Sequence, residues 1–171
     1  MDGEARRREI MSCLKSAENP VSAASLASRF SVSRQIIVGD IALLRAGGEN
    51  IAATPRGYVL PWEGGDVKRT VACVHDRAGM ARELEILVDH GCQVLDVIVE
   101  HPVYGQLTGQ LHLSSRYDVQ AFIRCMDADG ARPLSQLTGG IHLHTISCAT
   151  EERMERAVAA LAQAGILLED K

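Results

Sequence analysis

No apolar run among the 171 residues approaches the roughly 18 residues that a membrane-spanning helix needs, so a membrane span is not expected. The N-terminus lacks a signal pattern: Arg6-Arg7-Arg8 leads into an amphipathic stretch, not an apolar core. Internal repeats and low-complexity segments are absent. The five cysteines, Cys13, Cys73, Cys92, Cys125 and Cys148, form no C-x-x-C pair and are odd in number. Each lies in or beside an apolar stretch, which reads as reduced core thiols of a cytoplasmic protein, not a cysteine metal or redox motif. The H-E-x-x-H helix, the nucleophile elbow and the P-loop are also missing, which argues against an enzyme.

What is present is enough apolar residue for compact cores, at a length that suits two small domains better than one. The net charge of −4 is unevenly divided. Residues 1–62 hold 8 Lys/Arg against 6 Asp/Glu, while residues 63–171 hold 10 against 16. Any contact with a polyanion therefore belongs to the first part, through a local basic face that includes Arg34, Arg45 and Arg56.

Residues 22–58 have the parts of a DNA-reading module. One helix buries Leu26, Ala27 and Phe30. A short polar turn, Ser31-Val32-Ser33, follows, and Ser33 is placed to cap the next helix by accepting from its free N–H groups. In that helix Ile37, Ile41 and Leu44 form one apolar stripe. Arg34, Gln35, Ile36, Val38 and Gly39 are left on the outside near its N-terminus, the end that a helix-turn-helix presents to base edges. A helix over Glu4–Ala17, with Ile10, Met11 and Leu14 inward, precedes it. Ile51–Ala53 and Tyr58–Leu60 can pair across a Thr54-Pro55-Arg56-Gly57 turn as a wing, with Arg56 at its tip for phosphate or the minor groove. Pro61–Asp66, including Trp62, reads as a linker.

Beyond it the pattern runs strand, helix, strand, strand, helix, strand, helix. This βαββαβ order predicts a ferredoxin-like domain, an α+β fold, following the winged helix-turn-helix. Right-handed crossovers place its fourth strand beside its first, antiparallel. The domains are expected at 1–62 and 68–171.

His142-Leu143-His144 lies on a strand, so both imidazoles project from one face. His75 ends the first strand, next to the start of the fourth in that topology, and Glu83 sits at the edge of a helix's core-facing stripe. Three imidazoles and a carboxylate suit one divalent transition metal per chain, with Zn, Ni, Fe and Mn all compatible. The bland alternative is a pair of exposed histidines on an open sheet. Gly139-Gly140 could form an anion nest or be a flexible loop. His101-Pro102 opens a hairpin that could line a pocket, and His90 at a helix C-terminus fits the helix dipole.

Together the two halves resemble the nicotinate-responsive repressors of NAD biosynthesis in bacteria, which join a winged helix-turn-helix to a three-histidine (3H) domain. The resemblance rests on Ser31–Val38 with Asp40–Arg45, Ala53–Tyr58, Val99–Gly105, Pro133–Thr138 and Gly140–Ile146. His101-Pro102 and His142-x-His144 make it specific. It implies His75, Glu83, His142 and His144 as metal ligands and nicotinic acid as corepressor. Gly39 departs from the family, where a longer or polar residue often stands, and this bears on the operator sequence.

The expectation is thus a cytoplasmic homodimeric repressor that reads a palindromic operator in double-stranded DNA through Ser33, Arg34, Gln35, Val38 and Arg56. A pyridine carboxylate is placed with its ring nitrogen toward the metal, its carboxylate on Gly139 and Gly140, and its ring against His101 and Tyr104. The alternatives are a repressor that responds to metal alone and a metal-dependent enzyme with a DNA-binding appendage.

Overall fold

A computed structural model describes residues 2–61 and 66–170. The chain forms two compact units, Met1–Glu63 and Gly64–Lys171. Trp62 and the centre of the expected linker lie outside the described residues.

The first unit is a winged helix-turn-helix. Helices α1 (Gly3–Ser16), α2 (Ala23–Phe30) and α3 (Arg34–Ala46) start at side-chain caps. Ser22 accepts from Ser25 N–H at 3.0 Å, and Ser33 from Ile36 N–H at 3.3 Å, which satisfies donors that have no partner within the helix. Ile10, Met11, Leu14, Leu26, Ala27, Ile37, Ile41 and Ile51 make the core, with Phe30 and Leu44 only partly buried against it. Asp40, on the inner side of α3, is buried, and its carboxylate receives Arg6 Nε at 2.6 Å and an Arg7 nitrogen at 3.4 Å. Part of the basic N-terminus therefore braces α3 from within. Arg45, expected on the basic face, is also engaged: its Nε donates to the Ile51 carbonyl at 2.8 Å.

Strands β1 (Ala52–Thr54) and β2 (Gly57–Val59) form the wing. Thr54 Oγ1 closes its turn, donating to Gly57 O at 2.8 Å and accepting from Arg56 N–H at 3.2 Å. Val21 and Tyr58 exchange two main-chain hydrogen bonds, which ties the wing to the approach to α2. At Gly57, with φ +139°, a Cβ would stand 2.5 Å from the Val21 carbonyl. Only glycine fits there.

The second unit contains β3 (Val67–Val74), α4 (Met80–Asp89), β4 (Gln93–His101), β5 (Gly105–Leu113), α5 (Arg116–Ala128), β6 (Ile141–Cys148) and α6 (Glu151–Gln163). This is the expected βαββαβ order with a closing helix. The sheet is antiparallel with order β3-β6-β4-β5, and β6 does pair with β3. It departs from a strict ferredoxin-like sheet, in which the first and third strands of the domain hold the centre. Here the β4–β5 hairpin turns outward and β6 enters between β3 and β4. The reason is polarity. β5 alternates Gln106, Thr108 and Gln110 with small or half-buried residues and suits an edge, whereas β6 is the most buried strand. Leu84, Leu87, Val119, Met154, Ala157 and Leu161 cover one face and meet Val71, Val94, Ile146 and Leu113.

One reading of the cysteines is overturned. Cys92 and Cys148 form a disulfide, with Cα atoms 4.6 Å apart. Gln93 pairs with Ser147, so the flanking cysteines meet across the ends of β4 and β6. That register is invisible in the spacing of the cysteines along the chain. Cys73 is a buried free thiol as expected, while Cys13 is only half-buried and Cys125 is exposed.

The disulfide spans 56 residues. Its reduction should lower unfolding free energy by about 2–4 kcal/mol, because a long loop loses its constraint. Denaturant titration with and without a thiol reductant checks this, and coincident midpoints would contradict it.

Candidate functional site

The buried polar groups of the second unit converge on one carboxylate. Glu83 is in the first turn of α4 and is 1% exposed. Its Oε2 lies 2.6 Å from His75 Nε2 and 3.3 Å from His144 Nε2, and its Oε1 lies 2.9 Å from His142 Nε2. The three imidazoles meet edge to face, with centroids 4.8 Å (His75–His142) and 4.9 Å (His142–His144) apart. The structure thus brings together the four residues singled out as metal ligands, under α4 and not on an open face.

The opposite ring nitrogens are equally ordered. His75 Nδ1 faces the Asp76 carbonyl at 2.6 Å, His142 Nδ1 the Gly140 carbonyl at 2.8 Å, and His144 Nδ1 the Asp96 carbonyl at 2.6 Å. A carbonyl only accepts, so each Nδ1 carries the proton and each Nε2 turns inward. Asp96 reaches His144 because β4 is irregular there against both neighbours; its side chain also accepts from Thr145 N–H at 2.9 Å. Gly140, with φ +97°, lies so close to the His75 carbonyl that a Cβ would stand 2.5 Å from it.

An ionised carboxylate cannot donate to Nε2. Each contact therefore needs an imidazolium proton or a cation among the four groups. Burial opposes ionisation of Glu83, but its hydrogen bonds with His142, His144 and His75 outweigh this and hold its carboxyl far below the usual range. Burial likewise disfavours charged His75 and His144, and Glu83 reverses that and raises both. Three imidazoliums around one carboxylate would leave two uncompensated charges in a dry site, which is costly. Neutral imidazoles around a dication avoid the protons altogether. Inward Nε2 atoms, main-chain acceptors behind them and a carboxylate are the donor chemistry of a transition-metal site.

Sequence reasoning missed two contributors. Cys73 is fully buried, and its Sγ lies with a Glu83 oxygen and a His142 ring nitrogen inside a group spanning 4.8 Å. Its place two residues before His75, which the sequence reading set at the end of the same strand, was the available signal. The Asp96 carbonyl had none, since a bulge aims it.

The residues expected around an effector are less gathered. A cleft of about 350 Å³ borders His142, lined also by Ile98, Glu100, Gln106, Thr138 and Ile141. His101 and Tyr104 are not in that lining. His101 Nδ1 accepts from Val103 N–H and Tyr104 N–H and so holds the hairpin turn, and Tyr104 is 75% exposed at its tip. The anion nest at Gly139-Gly140 is corrected as well: both N–H groups already bond to the Ser135 carbonyl. His90 Nδ1 faces the Ile86 carbonyl at a helix end, and His112 Nε2 faces Gln110.

In the first unit, Arg34, Gln35, Ile36, Val38 and Gly39 are exposed along one side of α3, with Ser33 at its start. Arg34 and Arg56 line one cleft of about 320 Å³ between the helix starts and the wing, together with Ser22 and Thr54. This places positive charge on both walls of a groove beside the exposed helix face.

Comparison with known proteins agrees with this division. Residues 6–59 match a helix-turn-helix (HTH) domain, and residues 68–170 match the 3H domain. The chain is 46% identical over 165 residues to a Thermotoga maritima protein named as the probable transcription repressor NiaR, covering 96% of this chain and 94% of the relative. It is 41% identical over 172 residues to the Bacillus subtilis transcription repressor NadR, covering 98% and 96%. With an exposed recognition helix in one unit and a three-histidine cluster in the other, the chain belongs to the 3H family of helix-turn-helix transcription repressors.

Proposed function

We propose that this repressor acts in the cytoplasm as a homodimer on a palindromic operator of genes for NAD biosynthesis or niacin uptake, with nicotinic acid as corepressor and one divalent transition metal per chain. The observation that carries the effector half is the convergence of three Nε2 atoms on Glu83. His75, Glu83, His142 and His144 would hold the metal, which would supply a Lewis-acidic point for a small anionic or nitrogen-bearing ligand. Zn, Ni, Fe and Mn all suit the four-residue set.

The cleft beside His142 has acidic Glu100 and neutral Gln106 and Thr138 in its lining. The Gly139-Gly140 N–H groups are committed elsewhere, so a carboxylate is better served by the metal than by a main-chain nest. A ligand in this unit can affect DNA only by favouring one dimer arrangement. That arrangement must set two copies of α3 about 34 Å apart, one turn of DNA, or a multiple of it.

On the DNA side, Gln35 is proposed to read a base edge, Val38 to meet thymine methyl groups, and Ser33, Arg34 and Arg56 to contact the backbone or minor groove. No helix among the described residues is long and apolar enough to cross a membrane.

Operator titration in four conditions, with metal and nicotinate each present or absent, tests the function. The expected result is tight binding only when both are present, with a gain of roughly 5–150-fold. Full tightening by metal alone would favour a metal sensor, and no change in any condition would refute effector control.

The two DNA contacts should differ in kind. Gln35→Ala should lose about 1–3 kcal/mol at one base position. Arg56→Ala should weaken all sequences alike and reduce the salt slope by about one unit. Binding measured across single-base operator variants and salt concentrations separates them; an unchanged base preference in the first, or an unchanged salt slope in the second, contradicts the assignment.

The pH dependence follows from the shifted groups. In metal-free protein, raised His75 and His144 contribute stability that is fully present below their unfolded value of about 6.5 and lost as pH rises through the folded value. Depressed Glu83 contributes stability that is present above about 4.3 and lost as pH falls toward its folded value. Metal requires deprotonated imidazoles, so its affinity rises with pH. The metal-induced increase in Tm should therefore be larger at about pH 8 than at about pH 6. A scan with equal or smaller gain at the higher pH would contradict the shared site.

A further inference from the structure

Among the described residues, Cys73 is the thiol that lies with Glu83 and His142 without a role in the four-residue set. It stands opposite His142 in the β3–β6 register, so these two side chains share the sheet face under α4, and His75 follows directly after the end of β3. Cys73 is 0% exposed, and its Sγ, a Glu83 oxygen and a His142 nitrogen lie within 4.8 Å of one another. Cys13 and Cys125, the other free thiols, are half-buried and exposed.

Charge gives the thiol its significance. Glu83, His142 and His144 are 1%, 3% and 3% exposed, so the pocket is dry. A dication with one carboxylate and three neutral imidazoles leaves a net single positive charge there. One thiolate brings the sum to zero, and a buried site favours neutrality. A thiol that coordinates a metal ion does so as the thiolate.

We propose that Cys73 Sγ is a further donor to the ion held by His75, Glu83, His142 and His144. The metal–sulfur bond forms as the S–H bond breaks, and the proton passes to solvent; nothing is oxidised or reduced. The soft donor tilts the site toward Zn, Ni and Fe and away from Mn, which the other four residues alone would not do. This inference rests on the metal reading above.

The test uses the full chain with Cys13→Ser and Cys125→Ser, so that Cys73 is the sole free thiol, and Co²⁺ as the probe. The expected result is one Co²⁺ per chain with a near-ultraviolet sulfur-to-cobalt charge-transfer band. Cys73→Ser and Cys73→Ala should each abolish the band and weaken Co²⁺ binding by about tenfold or more. Stoichiometric Co²⁺ without the band in the Cys73-bearing protein overturns sulfur ligation while leaving the His/Glu site standing. That outcome needs no Cys73 variant to fold. Failure to bind Co²⁺ at all overturns the four-residue site, and this inference with it.

Discussion

One buried carboxylate organises the second unit. Glu83 is taken out of water by α4, yet it is ionised, because three imidazoles approach it from β3 and β6. Such a group is expensive unless every partner is in place. The surrounding features answer that demand. The Gly140 carbonyl, the irregular stretch at Asp96 and the Asp76 carbonyl each take one Nδ1, so that every Nε2 turns inward. The outward turn of the β4–β5 hairpin serves the same end, since it leaves the inner position to β6. There His142 and His144 lie between β3, which leads to His75, and β4, which supplies the Asp96 carbonyl.

The reader unit uses a buried carboxylate differently. Asp40 sits on the inner side of α3 and is braced by Arg6 and Arg7. This fixes the helix from behind, so that Arg34, Gln35 and Val38 can remain exposed on its other side without contributing to the core. Much of the unit's positive charge is therefore structural. Arg34, at the exposed end of α3, and Arg56 line one cleft.

Much of this was legible from periodicity. The helix cap at Ser33, the stripe through Ile37 and Ile41, and the wing turn at Thr54–Gly57 are local features and appear where spacing places them. The histidine cluster was legible because two residues apart on a strand means one face, and because β6 does pair with β3. What escaped were non-local or main-chain properties. The outward hairpin depends on competition between β5 and β6 for the sheet interior. The Cys92–Cys148 pair depends on the β4–β6 register. The commitment of the Gly139-Gly140 N–H groups to Ser135, and the Asp96 carbonyl behind His144, involve backbone atoms that leave no mark on side-chain pattern.

The most direct measurement of the imidazole arrangement is ¹⁵N NMR of the histidine rings in zinc-loaded protein. Protons on the Nδ1 atoms of His75, His142 and His144, with all three Nε2 atoms unprotonated, are the predicted result. A proton on Nε2 of any of the three would mean that the ring is not held by its carbonyl toward Glu83, and would contradict a shared inward-facing site.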